Sequence, residues 1–455
     1  MKSLGLFILL FSSVAFGQLD GIWHSSFHVA GQSFLMDVSI EGIGRDGTIT
    51  VSVPDQPKLK PQVMTDYALF RDSVYFKWER IGLSFSGKLR NDSLAGTMKQ
   101  SGLEWPVIFT KSVQEVLPSG RPQDPIGPLS YEEKQLIIKN KKVQISGTLT
   151  LPSEKDFPIL ILVSGSGPQN RNCEIMGHRP FWVFSDFLTK NGVAVFRYDD
   201  RGVGESTGDF ETATETDFTS DLVHIFAYLK KKYPNHPIGI YGHSEGGMIG
   251  LRAASEESGF RFLIESASVG TNGKDVLVHQ QYDIPLAAGS PEEDAKWNAR
   301  LFEKAAEIVL EGKSTSFLND YKTWLSTTWE KLPPTLINGK SLDDVATEMS
   351  TFINSDWAQE FLTYQAATYL KNVEIPLLVI NGKKDIQVRW EENQLGFKQN
   401  MSLKTSGASK FIAYEDLNHL LQPCIKCDVM EYAAIETSMS PVVMTDVLNW
   451  IKSLK

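Results

Sequence analysis

Along the first quarter of the chain, apolar and polar residues alternate. Phe34, Met36, Val38 and Ile40 are interleaved with polar or smaller residues, and so are Ile49, Val51 and Val53, then Val74, Phe76 and Trp78, then Leu83, Phe85 and Leu89. A period of two is the mark of strands with one buried face. Arg45-Asp46-Gly47, Arg90-Asn91-Asp92-Ser93 and Gln100-Ser101-Gly102 supply the turns between them. Residues 18–112 are therefore expected to form a small all-β domain, an antiparallel barrel or sandwich. Pro118, Gly120, Pro122, Pro125, Gly127 and Pro128 then mark an extended linker over 113–130.

From Tyr131 the pattern changes. Short apolar runs alternate with helical ones, which predicts an α/β domain over 131–455 with a mostly parallel sheet and helices on both faces. Lys134–Lys139 and Val143–Leu149 read as an opening hairpin and Ile159–Val163 as the first fully buried strand. Further strands are expected at Val193–Arg197, Pro237–Tyr241, Phe262–Glu265, Leu377–Ile380 and Phe411–Tyr414, with helices at Phe181–Thr189, Thr219–Lys231, Trp390–Phe397 and Val442–Lys452. Between about 271 and 371 the period is helical: Trp297, Leu301, Ala305 and Ile308 share one face, and Leu318, Tyr321 and Leu325 another. A hundred helical residues inserted past the strand ends are expected to cap the centre that such sheets build there. The opening Gly21-Ile22-Trp23 resembles the first strand of lipocalin-like barrels, so the β domain is either a ligand-binding cup or, as we prefer, an accessory that shapes the substrate site.

Composition narrows the setting. The 455 residues carry a formal charge of −10, an acidic balance that argues against nucleic acid or anionic membrane as a partner. Lys2 followed by an apolar run from Leu4 and ending at Ala15-Phe16-Gly17 reads as a secretory signal over residues 1–17, cleaved before Gln18. That run is too short for a permanent membrane anchor, so an exported protein, periplasmic or secreted, is expected. Three cysteines exclude a disulfide scaffold. Cys424 and Cys427 form a C-x-x-C that pairs internally, stays as free thiols, or holds zinc with His419, whereas Cys173 reads as a lone buried thiol. No metal or other cofactor is assigned.

The chemistry centres on Gly242-His243-Ser244-Glu245-Gly246, preceded by the strand Pro237–Tyr241 and followed by small and apolar residues to Ala254. Glycines two before and two after the serine permit the strained strand–turn–helix backbone that lifts its hydroxyl out of the sheet. A serine hydroxyl needs a base, and the base needs an acid to hold its tautomer; on this architecture the order is serine, acid, histidine. Only His279 and His419 follow Ser244. His279 precedes any later strand able to deliver the acid, so His419 is the candidate base. Asp385, just past Leu377–Ile380, is the candidate acid. The oxyanion is expected to be met by the amide of Glu245 and an amide of the loop Ser164-Gly165-Ser166-Gly167-Pro168, with Ser166 first and Gly167 second. Arg197–Gly204 is expected to brace neighbouring loops through ion pairs.

Several separated motifs together resemble the EstD-type carboxylesterases of the α/β-hydrolase superfamily, which carry a serine aminopeptidase-like hydrolase domain. They are Gly165-Ser166-Gly167-Pro168-Gln169, His178-Arg179-Pro180-Phe181, Arg197–Gly204 with Ser206-Thr207-Gly208, Gly242–Gly247, Leu417-Asn418-His419, Glu436-Thr437 and Ser440-Pro441. The resemblance implies an α/β-hydrolase fold, a Ser244–Asp385–His419 triad and hydrolysis of short-chain acyl esters, and it is compatible with an added N-terminal β domain. Asn170-Arg171-Asn172 departs from it, standing where aspartates are usual, which changes the electrostatics of that loop. The expected function is that of a secreted serine carboxylesterase acting on a small-molecule ester through an acyl-enzyme. A serine peptidase or acyl thioesterase on the same fold is the first alternative. A lipid- or glycan-binding protein with a degenerate hydrolase domain is the second.

Overall fold

The structure is a computed structural model that describes residues 19–454 except 30–31, 43–46, 54–59, 71, 79–81, 91–92, 101–102, 112–120, 313–315, 338, 403 and 405–406. The expected signal, its cleavage point, and much of the linker and several N-terminal turns lie outside the described residues. The chain divides into two compact units, Met1–Gly120 and Arg121–Lys455.

The described residues of the first unit form nine strands: β1 Gly21–Val29, β2 Gln32–Glu41, β3 Thr48–Ser52, β4 Gln62–Val63, β5 Asp66–Phe70, β6 Ser73–Trp78, β7 Leu83–Arg90, β8 Ser93–Gln100 and β9 Leu103–Thr110. They form one antiparallel sheet in the order β4-β3-β2-β1-β9-β8-β7-β6-β5. The sheet makes an antiparallel half-barrel, in keeping with the small all-β domain expected, and no ladder joins β4 to β5 among the described residues. The alternating apolar residues explain it: Met36, Val38, Ile40, Ile49, Val51, Val74, Phe76 and Phe85 are all buried in one core with Trp23. Gly87 and Gly96 face each other across β7 and β8, and a side chain on either would strike the Phe85 ring, which occupies their space. The interior is filled by aromatic rings, with Phe85 5.4 Å from Phe76 and 5.2 Å from Phe109.

The second unit opens with the hairpin β10 Glu132–Asn140 and β11 Val143–Leu151, then β12 Ile159–Val163, α1 Pro180–Lys190, β13 Ala194–Tyr198, α2 Glu215–Lys232, β14 Ile238–His243, α3 Glu245–Glu256 and β15 Phe262–Ser266. Seven helices follow: α4 Gly273–Ala287, α5 Glu292–Glu311, α6 Phe317–Thr328, α7 Pro334–Ile337, α8 Leu342–Ile353, α9 Asp356–Thr363 and α10 Ala366–Leu370. The sheet resumes with β16 Leu377–Gly382, α11 Trp390–Asn400, β17 Lys410–Tyr414 and α12 Pro441–Ser453. The order is β10-β11-β13-β12-β14-β15-β16-β17, parallel from β13 to β17 with the hairpin antiparallel at one edge.

Burial on both faces accounts for the unbroken apolar runs. In β12, Ile159, Ile161 and Val163 belong to the core under α2 and α3, while Leu160 and Leu162 belong to the opposite core with residues of α1 and α12. From β12 the chain crosses to β13 on one side and then to β14 on the other, so the carboxyl ends of β12 and β14 lie at the point where the winding reverses. Crevices for ligands form there. The helical insertion leaves and re-enters the sheet through a pinched neck, with an Asn272–Gln365 bridge, Ala366 N–H donating to Thr271 O at 2.9 Å and Gly273 N–H to Tyr364 O at 3.1 Å.

Candidate active site

Ser244 stands between β14 and α3 at φ 56° and ψ −122°. A non-glycine residue in this region costs about 1–3 kcal/mol, and the surroundings hold it there. Its amide donates to Ser266 O at 2.9 Å and its carbonyl accepts from Gly247 at 3.0 Å. The flanking glycines are required by close approach: a Cβ at Gly242 would sit 2.3 Å from Gly246 O, and one at Gly246 2.3 Å from Val163 O. The backbone of the turn is thus pressed against β12, and no side chain fits between.

His419 and Asp385 arrive from the far side of the sheet. Asp385 follows β16, and its Oδ1 accepts from the amides of Gln387 at 2.8 Å and Val388 at 2.9 Å, which aims Oδ2 at His419 Nδ1, 2.8 Å away. Both side chains are almost fully buried. The loop carrying His419 is shaped by Asn418, whose Oδ1 accepts from the amides of Leu420 and Gln422, both at 3.0 Å. His243, the residue before the nucleophile, fixes the same loop: its Nε2 lies 3.0 Å from His419 O and its ring centre 4.9 Å from that of His419. Burial pushes the His243 imidazole down to about 4, with the neighbouring His419 acting in the same direction. The ring is therefore neutral at physiological pH, with Nε2–H donating to the carbonyl.

Ser244 and His419 line one cavity of about 190 Å³, together with Ser166, Gln169, Cys173, Gln280, Gln387, Trp357 and Phe361 among others. The Ser244 hydroxyl shares this space without a hydrogen bond to the imidazole, an arrangement common before substrate tightens the contact. Gly165 lies against the elbow, where a Cβ would come within 3.1 Å of Ser244 Cβ. Of the loop residues, Ser166 lines this cavity; Gly167, at φ 89°, lines a smaller adjoining hollow with Glu245, Asp200 and Trp357. The structure thus brings Ser244, His419, Asp385 and Ser166 to one place, and sets Gly167 one step away.

Beneath the loop lies a group of buried acids. Asp200 holds it through Ser164 Oγ at 3.1 Å and the Gln169 amide at 3.0 Å, and burial pushes its carboxyl up to about 8. Glu245 is buried too, its carboxyl raised by loss of solvent, and it accepts from Trp357 Nε1 of the helical insertion at 2.8 Å. Nearby charges are handled by ion pairs: Arg171 with Asp199 at 2.6 Å and Glu205 at 2.7 Å, and Arg201 with Asp217 at 2.6 Å and Asp221 at 2.8 Å. Arg171 comes from the stretch that departs from the expected pattern, and Asn172 accepts from Arg197. His279 faces Glu392 at 3.3 Å.

Cys424 and Cys427 are joined by a disulfide, and Cys173 is free and buried with its thiol pushed up to about 12. With His419 hydrogen-bonded to Asp385, the reading of a zinc site built from His419 and the two cysteines does not fit. The site residues that sequence spacing alone does not reveal are His243, whose role needs the His419 backbone to return beside it, and Trp357, 112 residues from its partner.

Comparison with known proteins gives the following. Residues 181–304 match the model of the family described as serine aminopeptidase, S33. The chain is 23% identical over 300 residues to esterase EstD of Thermotoga maritima, covering 66% of this chain and 62% of that relative's length. Among solved structures, an esterase of Pyrococcus furiosus, Pf2001, superposes with a TM-score of 0.45 at 18% identity, covering 73% of this chain and 97% of the other. Est1E of Butyrivibrio proteoclasticus bound to ferulic acid does so with a TM-score of 0.41 at 17% identity, covering 70% and 98%.

Proposed function

Because residues 121–455 carry the α/β-hydrolase fold in a chain similar to EstD-type esterases, we propose that this protein is a serine carboxylesterase. Ser244 is the nucleophile, His419 the base and Asp385 the acid that holds the imidazole with Nε2 free for the serine proton. The observation that carries this reading is the conjunction of Ser244 at φ 56° with the 2.8 Å His419–Asp385 contact at one cavity. His419 takes the proton as Ser244 Oγ attacks the ester carbonyl, then returns it to the leaving alcohol; water repeats the steps in reverse on the acyl-enzyme. The amides of Glu245 and Ser166 supply the oxyanion donors.

The cavity wall supports an uncharged ester as substrate. Outside Ser166, Ser244, the two histidines and Trp357, its polar side chains are the amides Gln169, Gln280 and Gln387, with the weakly polar Cys173 thiol, among Val269, Val276, Leu277, Phe361 and Leu420. The matched family description favours a second reading, a serine peptidase. A free α-amino group calls for a carboxylate partner, however, and none lines this cavity among the described residues. A volume of about 190 Å³ suits a short acyl chain. Residues 1–17 are proposed to export the chain, and the Cys424–Cys427 disulfide supports an oxidising destination. With p-nitrophenyl acetate as substrate, Ser244→Ala is expected to lower kcat on the order of 10⁶-fold. Retention of turnover by that variant would overturn the reading, and parallel assays with aminoacyl amides and acyl thioesters separate it from its alternatives.

A further inference from the structure

The residue after the nucleophile is a buried carboxylate, and its sequence position explains only half of what it does. An acid in the first turn of a helix normally stays at the surface, where it favours the positive helix end. Glu245 is 4% exposed. Burial raises its carboxyl, and the hydrogen bond from the Trp357 indole opposes that by favouring the charged form. Glu245 and Trp357 face one small hollow together with Gly165 and Gly167 of the loop after β12. Ser166 belongs to the loop after β12, which supplies one candidate oxyanion amide; Glu245 itself supplies the other. Trp357 belongs to α9, which also lines the cavity through Phe361. Its indole is held between Phe352, 6.0 Å away, and Phe361, 5.2 Å away, so the 2.8 Å bond to Glu245 Oε1 reports where the helical insertion sits.

Building on the hydrolase reading above, the geometry points to Glu245 as a positioning residue whose carboxyl, held by the Trp357 indole, fixes the start of α3 and its amide against the loop after β12, so that the spacing of the two oxyanion donors depends on the cap. The alignment matters to the tetrahedral intermediate and little to the bound ester, because only the former places negative charge between the two amides. Cap displacement breaks the indole bond and lets the start of α3 relax away from the loop. Rate, and not substrate affinity, is then the quantity the cap controls.

The test uses the full-length protein and four variants. Trp357→Phe keeps an aromatic ring and removes the N–H donor. It is expected to lower kcat for p-nitrophenyl acetate about tenfold, less than outright loss of an oxyanion donor, with KM unchanged within about twofold. The inhibition constant of a small alkyl trifluoromethyl ketone, whose adduct with the serine carries the oxyanion, should rise by the same factor. Glu245→Gln keeps an acceptor for the indole, so it should stay within about threefold of wild type. Glu245→Ala should lose at least as much as Trp357→Phe, and the double variant Trp357→Phe/Glu245→Ala no more than Glu245→Ala alone, because both remove one linkage. Wild-type kcat and ketone affinity in Trp357→Phe, a loss confined to KM, or additive losses in the double variant would each overturn the proposal. Failure of the hydrolase reading is distinguishable: the wild-type protein would then neither turn over the ester nor react at Ser244 with a fluorophosphonate.

Discussion

At the scale of single residues, the proposed site joins the Ser244 hydroxyl to the groups that hold the His419 imidazole still. Asp385→Asn keeps the shape of the acid but not its charge or its hold on the Nδ1 proton, and should reduce kcat about 10⁴-fold, measurable against the same chromogenic acetate. His243 acts on the backbone of His419 instead of its ring. In His243→Phe a buried carbonyl loses its donor, which costs about 1–3 kcal/mol, and the base is held less firmly. Because the His243 imidazole is pushed down to about 4, it stays neutral throughout the working range. The variant's kcat/KM curve should therefore run parallel to wild type from pH 5.5 to 9; a change of shape would show that His243 titrates in the reaction. Ser244, Asp385 and His419 could be read from the chain because each lies at a strand end with a motif or a spacing to mark it. His243 and Trp357 could not, since what they do depends on which backbone or carboxylate the fold returns to them.

At the scale of elements, the strands were the most legible part. Period-two alternation in residues 34–89 and unbroken apolar runs such as Ile159–Val163 reflect one and two buried faces, respectively. Edges were harder: α2 begins at Glu215, four residues before the expected start at Thr219, because Thr214 and Asp217 form a capping box that contributes no hydrophobic signal. In the β domain, alternation marks each strand's inner face and the small all-β unit, and what it leaves open is the strand order that sets β1 between β2 and β9. The elbow offers an element-level test. Gly246→Ala introduces a methyl 2.3 Å from Val163 O and 2.4 Å from Ser164 O, both backbone atoms that cannot swing aside. The turn must shift away from β12, carrying Ser244 with it, and a loss of activity of at least about 100-fold is expected, since small displacements of reacting groups are costly. Circular dichroism and fluorophosphonate labelling would show whether the fold survives while the serine no longer reacts.

At the scale of the whole molecule, buried carboxyls couple stability to pH. Burial pushes Glu265, in the middle of the sheet, up to about 8, and Asp200 likewise up to about 8. In the unfolded chain such groups release their protons near pH 4. The native state therefore binds more protons between these limits, so their contribution to stability is complete below about pH 4 and fades as pH rises through about 8. Glu265→Gln removes one of the two titrations. Its Tm should exceed that of wild type at pH 9 and converge with it near pH 5; an equal offset at both pH values would show that Glu265 is not the group responsible. The nine-stranded sheet has a consequence for anyone making this protein. Because β1 is the seam between β2 and β9, a recombinant version started downstream of Val29 would split the domain into a three-stranded and a five-stranded fragment with no shared ladder among the described residues. The usable start site lies upstream of Leu19, whose buried side chain and carbonyl bond to the Trp23 indole anchor that seam.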